Sequence, residues 1–133
     1  MRAVLDANVL ISAVLSRTGA PAALMERWLL GDFELVVSAR LLAEVENALA
    51  YPRIRARLAE DAAAGFASLL RELAEIVDDP ERKSTIRSRD PGDDYLVALA
   101  QTETATLVSG DAHLLALADV IPVVTPRAFL DSM

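Results

Sequence analysis

Two aspartates stand directly after short apolar segments, at positions where a carboxylate could do chemistry. Asp6 follows "RAVL" at 2–5, and Asp111 follows "ATLVS" at 105–109 across one glycine. If both segments are parallel strands, their carboxyl ends meet at one edge of the sheet, which is where such sheets bind ligands. The sequence therefore predicts that Asp6 and Asp111 lie on the same edge.

Three further carboxylates lie in predicted helices or at their starts. Asp93 and Asp94 open a helix in "RDPGDDYLVALA", and Glu44 lies in "SARLLAEVENAL" after the second apolar segment. Several oxygen ligands gathered at one edge suit a hard cation. The chain has one His and no Cys, which argues against a zinc site of the usual kind.

Each of these acids also has a purely structural explanation. Aspartate is favoured at helix starts, where it caps the first turn and interacts well with the helix dipole, so Asp6, Asp93 and Asp111 could each be a cap. A glutamate on a helix is usually a solvated residue. Glu44 and Glu46 flank the buried side of their helix on opposite edges, and their spacing does not choose between them.

Short apolar strands alternate with helices along almost the whole chain. This alternation predicts an α/β domain with a central, mostly parallel sheet of four to five strands covered by helices. No internal repeat or domain boundary is evident, so we expect one domain over residues 1–133. The predicted strands are 2–5, 33–37, 75–77, 105–109 and 120–124, and the predicted helices are 8–16, 21–30, 39–50, a split stretch over 53–74, 92–103, 111–118 and a last one from 126.

Composition and charge limit the classes of protein that fit. Of the 133 residues, 53% are hydrophobic, which is enough for a substantial core. The net charge of −7 argues against a protein that coats nucleic acid through a broad basic face. It is compatible with an enzyme that handles nucleic acid through a metal ion, because the cation reverses the local charge. We see no signal peptide and no apolar run approaching the ~18 residues of a membrane span, so we expect a cytoplasmic protein.

Four segments of the chain, taken in order, resemble the motifs of one protein family. They are "VLDANVLISAVLS", "VVSARLLAEVENAL", "RDPGDDYLVALAQ" and "LVSGDAHLLAL". Together they resemble the PIN-domain nucleases, in particular the branch related to the VapC toxins, and the resemblance covers nearly the whole chain. It implies a three-layer α/β/α domain.

The resemblance also implies roles for individual residues. The four acids that match the catalytic and metal-binding positions of the family are Asp6, Glu44, Asp93 and Asp111. Asp94 is the adjacent candidate for the third position. Asn8 and Ser109 match polar residues that support the cluster, and Ser109 stands where threonine is commoner.

A cluster of four carboxylates needs a cation. Two like charges about 4 Å apart repel by about 4 kcal/mol at an effective dielectric near 20. One or two Mg²⁺ or Mn²⁺ ions would remove that repulsion, since carboxylates and retained waters are the usual environment of Mg²⁺. Such ions activate a water molecule and neutralise the phosphate during hydrolysis.

The function that the resemblance implies is metal-dependent cleavage of RNA phosphodiester bonds by the toxin of a type II toxin–antitoxin pair. It further implies a small antitoxin protein as partner and a homodimer. The alternative from another class is a PIN-like module that binds RNA or protein without cutting it. A structure-specific DNA nuclease is a third possibility, although 133 residues leave no room for the long insertions of such enzymes.

A basic segment precedes the third acidic motif. Its four cations could contact RNA phosphates near the site, and a solvated loop explains them equally well. These residues are Arg82, Lys83, Arg87 and Arg89.

Overall fold

The structure is a computed structural model, and it describes residues 1–81, 86–87 and 91–133. Five strands form a single parallel sheet in the order β3-β2-β1-β4-β5. The strands are β1 (Arg2–Leu5), β2 (Glu34–Ser38), β3 (Glu75–Val77), β4 (Thr106–Val108) and β5 (Val123–Val124). Helices flank this sheet in an α/β/α arrangement, so the predicted fold class is confirmed.

Eight α-helices occur in the part of the chain that the structure describes, and four of them are the next element after a strand. They are α1 (Ala7–Leu15), α2 (Ala20–Leu29), α3 (Ala39–Leu49), α4 (Pro52–Arg55), α5 (Glu60–Leu73), α6 (Asp94–Thr102), α7 (Ala112–Leu115) and α8 (Pro126–Asp131). A 3₁₀ turn over Pro91–Asp93 leads into α6. None of the helices within the described ranges is long and apolar enough to cross a membrane.

The register of the sheet aligns the ends of its central strands. Ala3 of β1 lies opposite Leu35 of β2 on one side and Thr106 of β4 on the other. All five strands run the same way, so their carboxyl ends lie along one edge, which we call the carboxyl edge. The chain enters α1, α3 and α7 from this edge.

Helix α3 shows why the flanking helices pack as they do. Its buried residues Leu41, Val45 and Leu49 recur every four positions and form one apolar stripe. The same helix contacts α1 and α5. This packing holds the helix in place, so a side chain on its first turns has a defined position relative to β2.

The last predicted strand is shorter than expected. The prediction covered 120–124, but only Val123 and Val124 pair as a strand. The amides of Val120 and Ile121 donate instead to the carbonyl of Leu117, at 2.9 and 3.0 Å, and close a turn after α7. Pro122 has no N–H to contribute to a ladder, so regular pairing starts only beyond it.

Candidate active site

Asp6 and Ser109 form a buried contact where two central strands end. Asp6 is 6% exposed and Ser109 is fully buried. The Ser109 hydroxyl donates to Oδ2 of Asp6 at 2.7 Å, and the Asp6 amide donates to the carbonyl of Val108 at 3.0 Å. The contact therefore joins the ends of β1 and β4, as expected for polar residues at a shared carboxyl edge.

Asp111 joins this pair through the same serine. Its amide donates to Oγ of Ser109 at 3.0 Å, so one hydroxyl links the Asp6 carboxylate to the backbone of Asp111. The structure thus brings Asp6, Ser109 and Asp111 together. The Asp111 side chain is 29% exposed and faces the surface beside His113, whose Nδ1 is 4.0 Å from its Oδ1.

Both aspartates also act as helix caps. Oδ1 of Asp6 accepts from the amide of Asn8 at 3.1 Å, and Oδ1 of Asp111 accepts from the amide of His113 at 2.8 Å. The structural explanation of these two acids is therefore correct. It accounts for one oxygen of each carboxylate, and the second oxygen of Asp6 is the one that Ser109 binds. The Asn8 side chain is exposed.

Glu44 projects from α3 to a tyrosine that opens α6. The Tyr95 hydroxyl donates to Oε2 of Glu44 at 2.6 Å, and both side chains are half-buried. Glu46, the alternative glutamate, forms an ion pair with Arg71 of α5 instead. Of the two glutamates, Glu44 is therefore the one that faces the helix carrying the third acidic motif.

Tyr95 is electrostatically coupled to two of the predicted acids. Burial raises the pKa of the Tyr95 phenol, and the hydrogen bond to Glu44 and the negative charges of Glu44 and Asp6 raise it further. The phenol therefore stays protonated at neutral pH and remains a donor to Glu44. This coupling also indicates that Asp6 and Glu44 lie on the same side of the molecule.

The third acidic position lies at the start of α6, a helix that packs against β1 and β4. Asp93 ends the 3₁₀ turn, is half-buried and makes no capping hydrogen bond to α6. The Asp94 side chain is 17% exposed, and its Oδ2 is 4.0 Å from Nε of Arg87. The choice between Asp93 and Asp94 stays a prediction.

The basic segment is described only in part. Arg87 is exposed and lies beside Asp94. The other three predicted RNA-contacting residues lie outside the described residues, and they are Arg82, Lys83 and Arg89.

Sequence analysis missed two residues of this region. Arg40, on the first turn of α3, places its Cζ atom 4.2 Å from the centroid of the Tyr95 ring. Arg40 and Glu44 are four residues apart on one helix, a spacing that puts them on the same face, and this spacing was the available signal. No comparable signal identifies Tyr95, because its contact with α3 depends on how two separate helices pack.

The donor set of the region suits a hard divalent cation. The predicted ligands are all carboxylates, and Asp6 sits at a buried edge of the sheet. Among the described residues, no three acidic or histidine side chains lie close enough together to hold a metal ion. Tyr95 occupies Oε2 of Glu44 in this arrangement, so Oε1 is the oxygen that an ion shared with Asp6 would use.

Comparison with solved structures supports the same fold. A chain of VapBC2 from Rickettsia felis, bound to a DNA fragment from their promoter, is 16% identical with a TM-score of 0.64, over 94% of this chain and 98% of that one. PAE2754 from Pyrobaculum aerophilum is 18% identical with a TM-score of 0.70, over 99% and 94%. FitAcB from Neisseria gonorrhoeae is 21% identical with a TM-score of 0.61, over 94% and 98%. No curated protein matches the sequence significantly.

A family model gives the more specific result. The model described as "PIN domain" matches residues 2–113, which is most of the chain. The matched range contains all four acids predicted at the site, from Asp6 to Asp111. On this match, together with the parallel sheet and its helices, the chain belongs to the PIN domain family.

Proposed function

We propose that this protein is a metal-dependent endoribonuclease that hydrolyses RNA phosphodiester bonds. The observation that carries the proposal is the contact of Asp6, Ser109 and Asp111 at the carboxyl edge, with Glu44 facing the same region through Tyr95. A helix cap needs no second acid held by a shared buried hydroxyl. A metal site needs acids from separate segments brought close together, because its ligands must converge.

The residues at this edge would have two roles: some would bind the metal ions, and others would hold those ligands in position. We assign Asp6, Glu44, Asp111 and either Asp93 or Asp94 as ligands of one or two Mg²⁺ or Mn²⁺ ions. When bound, these ions would activate a water molecule and neutralise charge on the phosphate. Ser109 would hold Asp6 in place and Tyr95 would orient Glu44, as groups behind metal ligands generally do. Asn8 would support the cluster from the first turn of α1.

The biological setting that we propose is a toxin–antitoxin pair. The resemblance to VapC toxins and the similarity of fold to chains of VapBC2 and FitAcB support it. In that setting the protein is a cytoplasmic homodimer of single domains, and a small antitoxin protein holds it inactive. An antitoxin that covers the carboxyl edge would block access of RNA to the acids.

A non-catalytic binding module is the second candidate. The feature that favours it is that no three potential ligands lie together within the described ranges. In such a module the acids of the carboxyl edge would have no catalytic role, and RNA or protein would bind without cleavage.

The test is an RNA cleavage assay with matched variants. Purified protein is incubated with labelled single-stranded RNAs and tRNA in Mg²⁺ or Mn²⁺, with EDTA as the metal-free control. We expect cleavage that needs the metal and falls at least 100-fold in Asp6→Asn, since the amide removes a ligand charge and one of the two oxygens that accept from Ser109 and Asn8. Glu46→Gln, which removes an acid paired with Arg71 elsewhere, should cleave like the wild-type protein.

The outcomes separate the two candidates. Cleavage that is lost in Asp6→Asn and kept in Glu46→Gln supports the nuclease. RNA binding without any cleavage, in either metal, would support the binding module. An equal loss of cleavage in Asp6→Asn and Glu46→Gln would mean that both substitutions disturb the fold, and it would not support a catalytic role for Asp6.

A further inference from the structure

Arg40 places a positive charge beside the acids of the carboxyl edge. It is the second residue of α3, and its amide donates to Oδ2 of Asp79 at 3.0 Å. Its guanidinium lies over the ring of Tyr95, 4.2 Å from the centroid, and the hydroxyl of that ring is bonded to Glu44. One tyrosine thus contacts both this cation and a predicted metal ligand.

This arginine makes no ion pair with any carboxylate that the structure describes. Its position four residues before Glu44 would allow a pair across one helical turn, but the guanidinium stacks on Tyr95 instead. Other arginines of the chain do form ion pairs: Arg2 with three glutamates, Arg27 with Asp32 and Arg71 with Glu46. Arg40 therefore differs from them in keeping its charge and its donors at the surface.

Stacking on an aromatic ring suits an arginine that must bind a phosphate. The cation–π contact holds the guanidinium at the ring, and the N–H groups that do not point at the ring can bind a ligand. Arg40 is exposed, so these donors are accessible. The side chain is restrained before it meets a ligand, which reduces the conformational entropy lost on binding.

An exposed arginine near the acids would favour binding of a nucleic-acid strand by a molecule of this charge. The chain carries a net charge of −7, and the acids of the carboxyl edge add a local negative field that repels phosphates. A cation within reach of this edge would offset that repulsion for one phosphate. Resting on the proposed function, we propose that Arg40, stacked on Tyr95, binds a backbone phosphate of the RNA strand beside the acidic site.

The competing explanation is that Arg40 only offsets the charge of the neighbouring acids. In that case its removal would leave the affinity for RNA unchanged and would tighten the binding of Mn²⁺, because a nearby cation opposes a second one. A phosphate contact predicts weaker RNA binding that is the same for every sequence, since phosphates carry no sequence information.

The matched control is Arg53 of α4. It is also an exposed arginine, so its replacement by alanine removes the same charge. It lies in α4, beyond the far end of α3, and about 13 Å of that helix separates Arg40 from Leu49 at its end. A general effect of net charge would appear equally in Arg40→Ala and Arg53→Ala.

The experiment measures binding and turnover separately. In the Asp6→Asn background, fluorescence anisotropy gives the Kd for two labelled single-stranded RNAs of different sequence, in Mg²⁺ and over a range of salt. We expect Arg40→Ala to raise the Kd about 5- to 10-fold for both RNAs. The logarithm of the association constant should then fall less steeply with the logarithm of the salt concentration, by about 0.7 in the slope. Arg53→Ala should change Kd less than 2-fold. With Asp6 intact, Arg40→Ala should raise KM and leave kcat unchanged.

Each result bears on Arg40 and on the nuclease independently. If the wild-type protein cleaves RNA while Arg40→Ala matches Arg53→Ala in Kd and KM, the phosphate contact is wrong and the nuclease stands. If nothing is cleaved but Arg40→Ala still weakens binding, the contact stands and the nuclease is wrong. If RNA is neither bound nor cleaved, both are wrong. A loss restricted to one RNA sequence would indicate a base contact and also overturn the proposal.

Discussion

The hydrogen bond from Tyr95 to Glu44 has a direct consequence for metal binding. A carboxylate on a helix samples several rotamers, and a donor behind it restricts it to those that face the ion. At 2.6 Å this bond is short, as expected for a hydroxyl donating to a charged acceptor. The raised pKa of Tyr95 means that the donor keeps its proton throughout the physiological range of pH. Tyr95 is therefore a positioning residue in the proposed site.

Tyr95→Phe should weaken metal binding without disturbing the fold. The variant keeps the ring on which Arg40 stacks and removes only the hydroxyl that orients Glu44. We expect the Kd for Mn²⁺, measured by isothermal titration calorimetry, to rise about 10-fold, at the lower end of the range for groups behind metal ligands. Tyr51→Phe is the matched control, because Tyr51 is 58% exposed. An unchanged or lower Kd in Tyr95→Phe would contradict this role.

The start of α3 determines where two functional side chains lie. Two side chains satisfy its first amides: Oγ of Ser38 accepts from Leu41 at 3.2 Å, and Oδ2 of Asp79 accepts from Arg40 at 3.0 Å. Asp79 follows β3, so it ties the helix to the next strand of the sheet. The first turn of α3 carries Arg40, and Glu44 follows one turn later, so this end of the helix anchors both.

Ser38→Ala should destabilise the protein by about 1 kcal/mol, the usual loss when a helix cap is removed. The free energy of unfolding from urea denaturation measures this change. The Kd for Mn²⁺ should stay within about 2-fold of the wild-type value, because Leu41, Val45 and Leu49 still hold the helix against the core. Ser68→Ala, at an exposed position within α5, should not destabilise the protein. Equal stability of the two variants would show that the Ser38 cap contributes nothing.

At the scale of the whole molecule, the excess of negative charge should make the stability of the folded state depend on divalent cations. The net charge is −7, and the predicted metal ligands come from four separate segments of the chain. An ion that binds these acids together binds the folded chain only, because the unfolded chain separates them. Binding should therefore stabilise the protein by linkage.

Mn²⁺ should raise the temperature of unfolding well beyond the effect of ionic strength. When free Mn²⁺ is about 100-fold above its Kd, linkage adds about 2.7 kcal/mol, or roughly 5–10 °C for a chain of this size. Differential scanning calorimetry in MnCl₂, compared with NaCl at matched ionic strength, measures the shift. Asp6→Asn should lose most of it and Glu46→Gln should keep it. The same shift in NaCl would mean that the ions only screen charge.

Much of the fold followed from the sequence, because short apolar strands and capped helices leave few arrangements. The β1 strand, the start of α2 at Pro21 and the Ser38 cap of α3 all depend on neighbouring residues, and each was predicted within a few positions. The last strand was overestimated because periodicity does not reveal the turn that binds Val120 and Ile121 back to Leu117. That turn is a tertiary feature near α7.

The sequence alone named the four acids of the candidate site, because the family motifs specify residue types and spacing, and their role in binding metal stays a prediction. It placed Asp6 and Asp111 on one edge through the geometry of parallel strands, and the structure joins them through Ser109. Helix spacing left Glu44 and Glu46 open, and the family resemblance selected Glu44. Only the tertiary structure showed that Glu44 faces α6 and added Tyr95 and Arg40, because these contacts lie between helices that are distant along the chain. Spacing within a helix fixes a face, whereas the packing of α3 on its neighbours decides what that face meets.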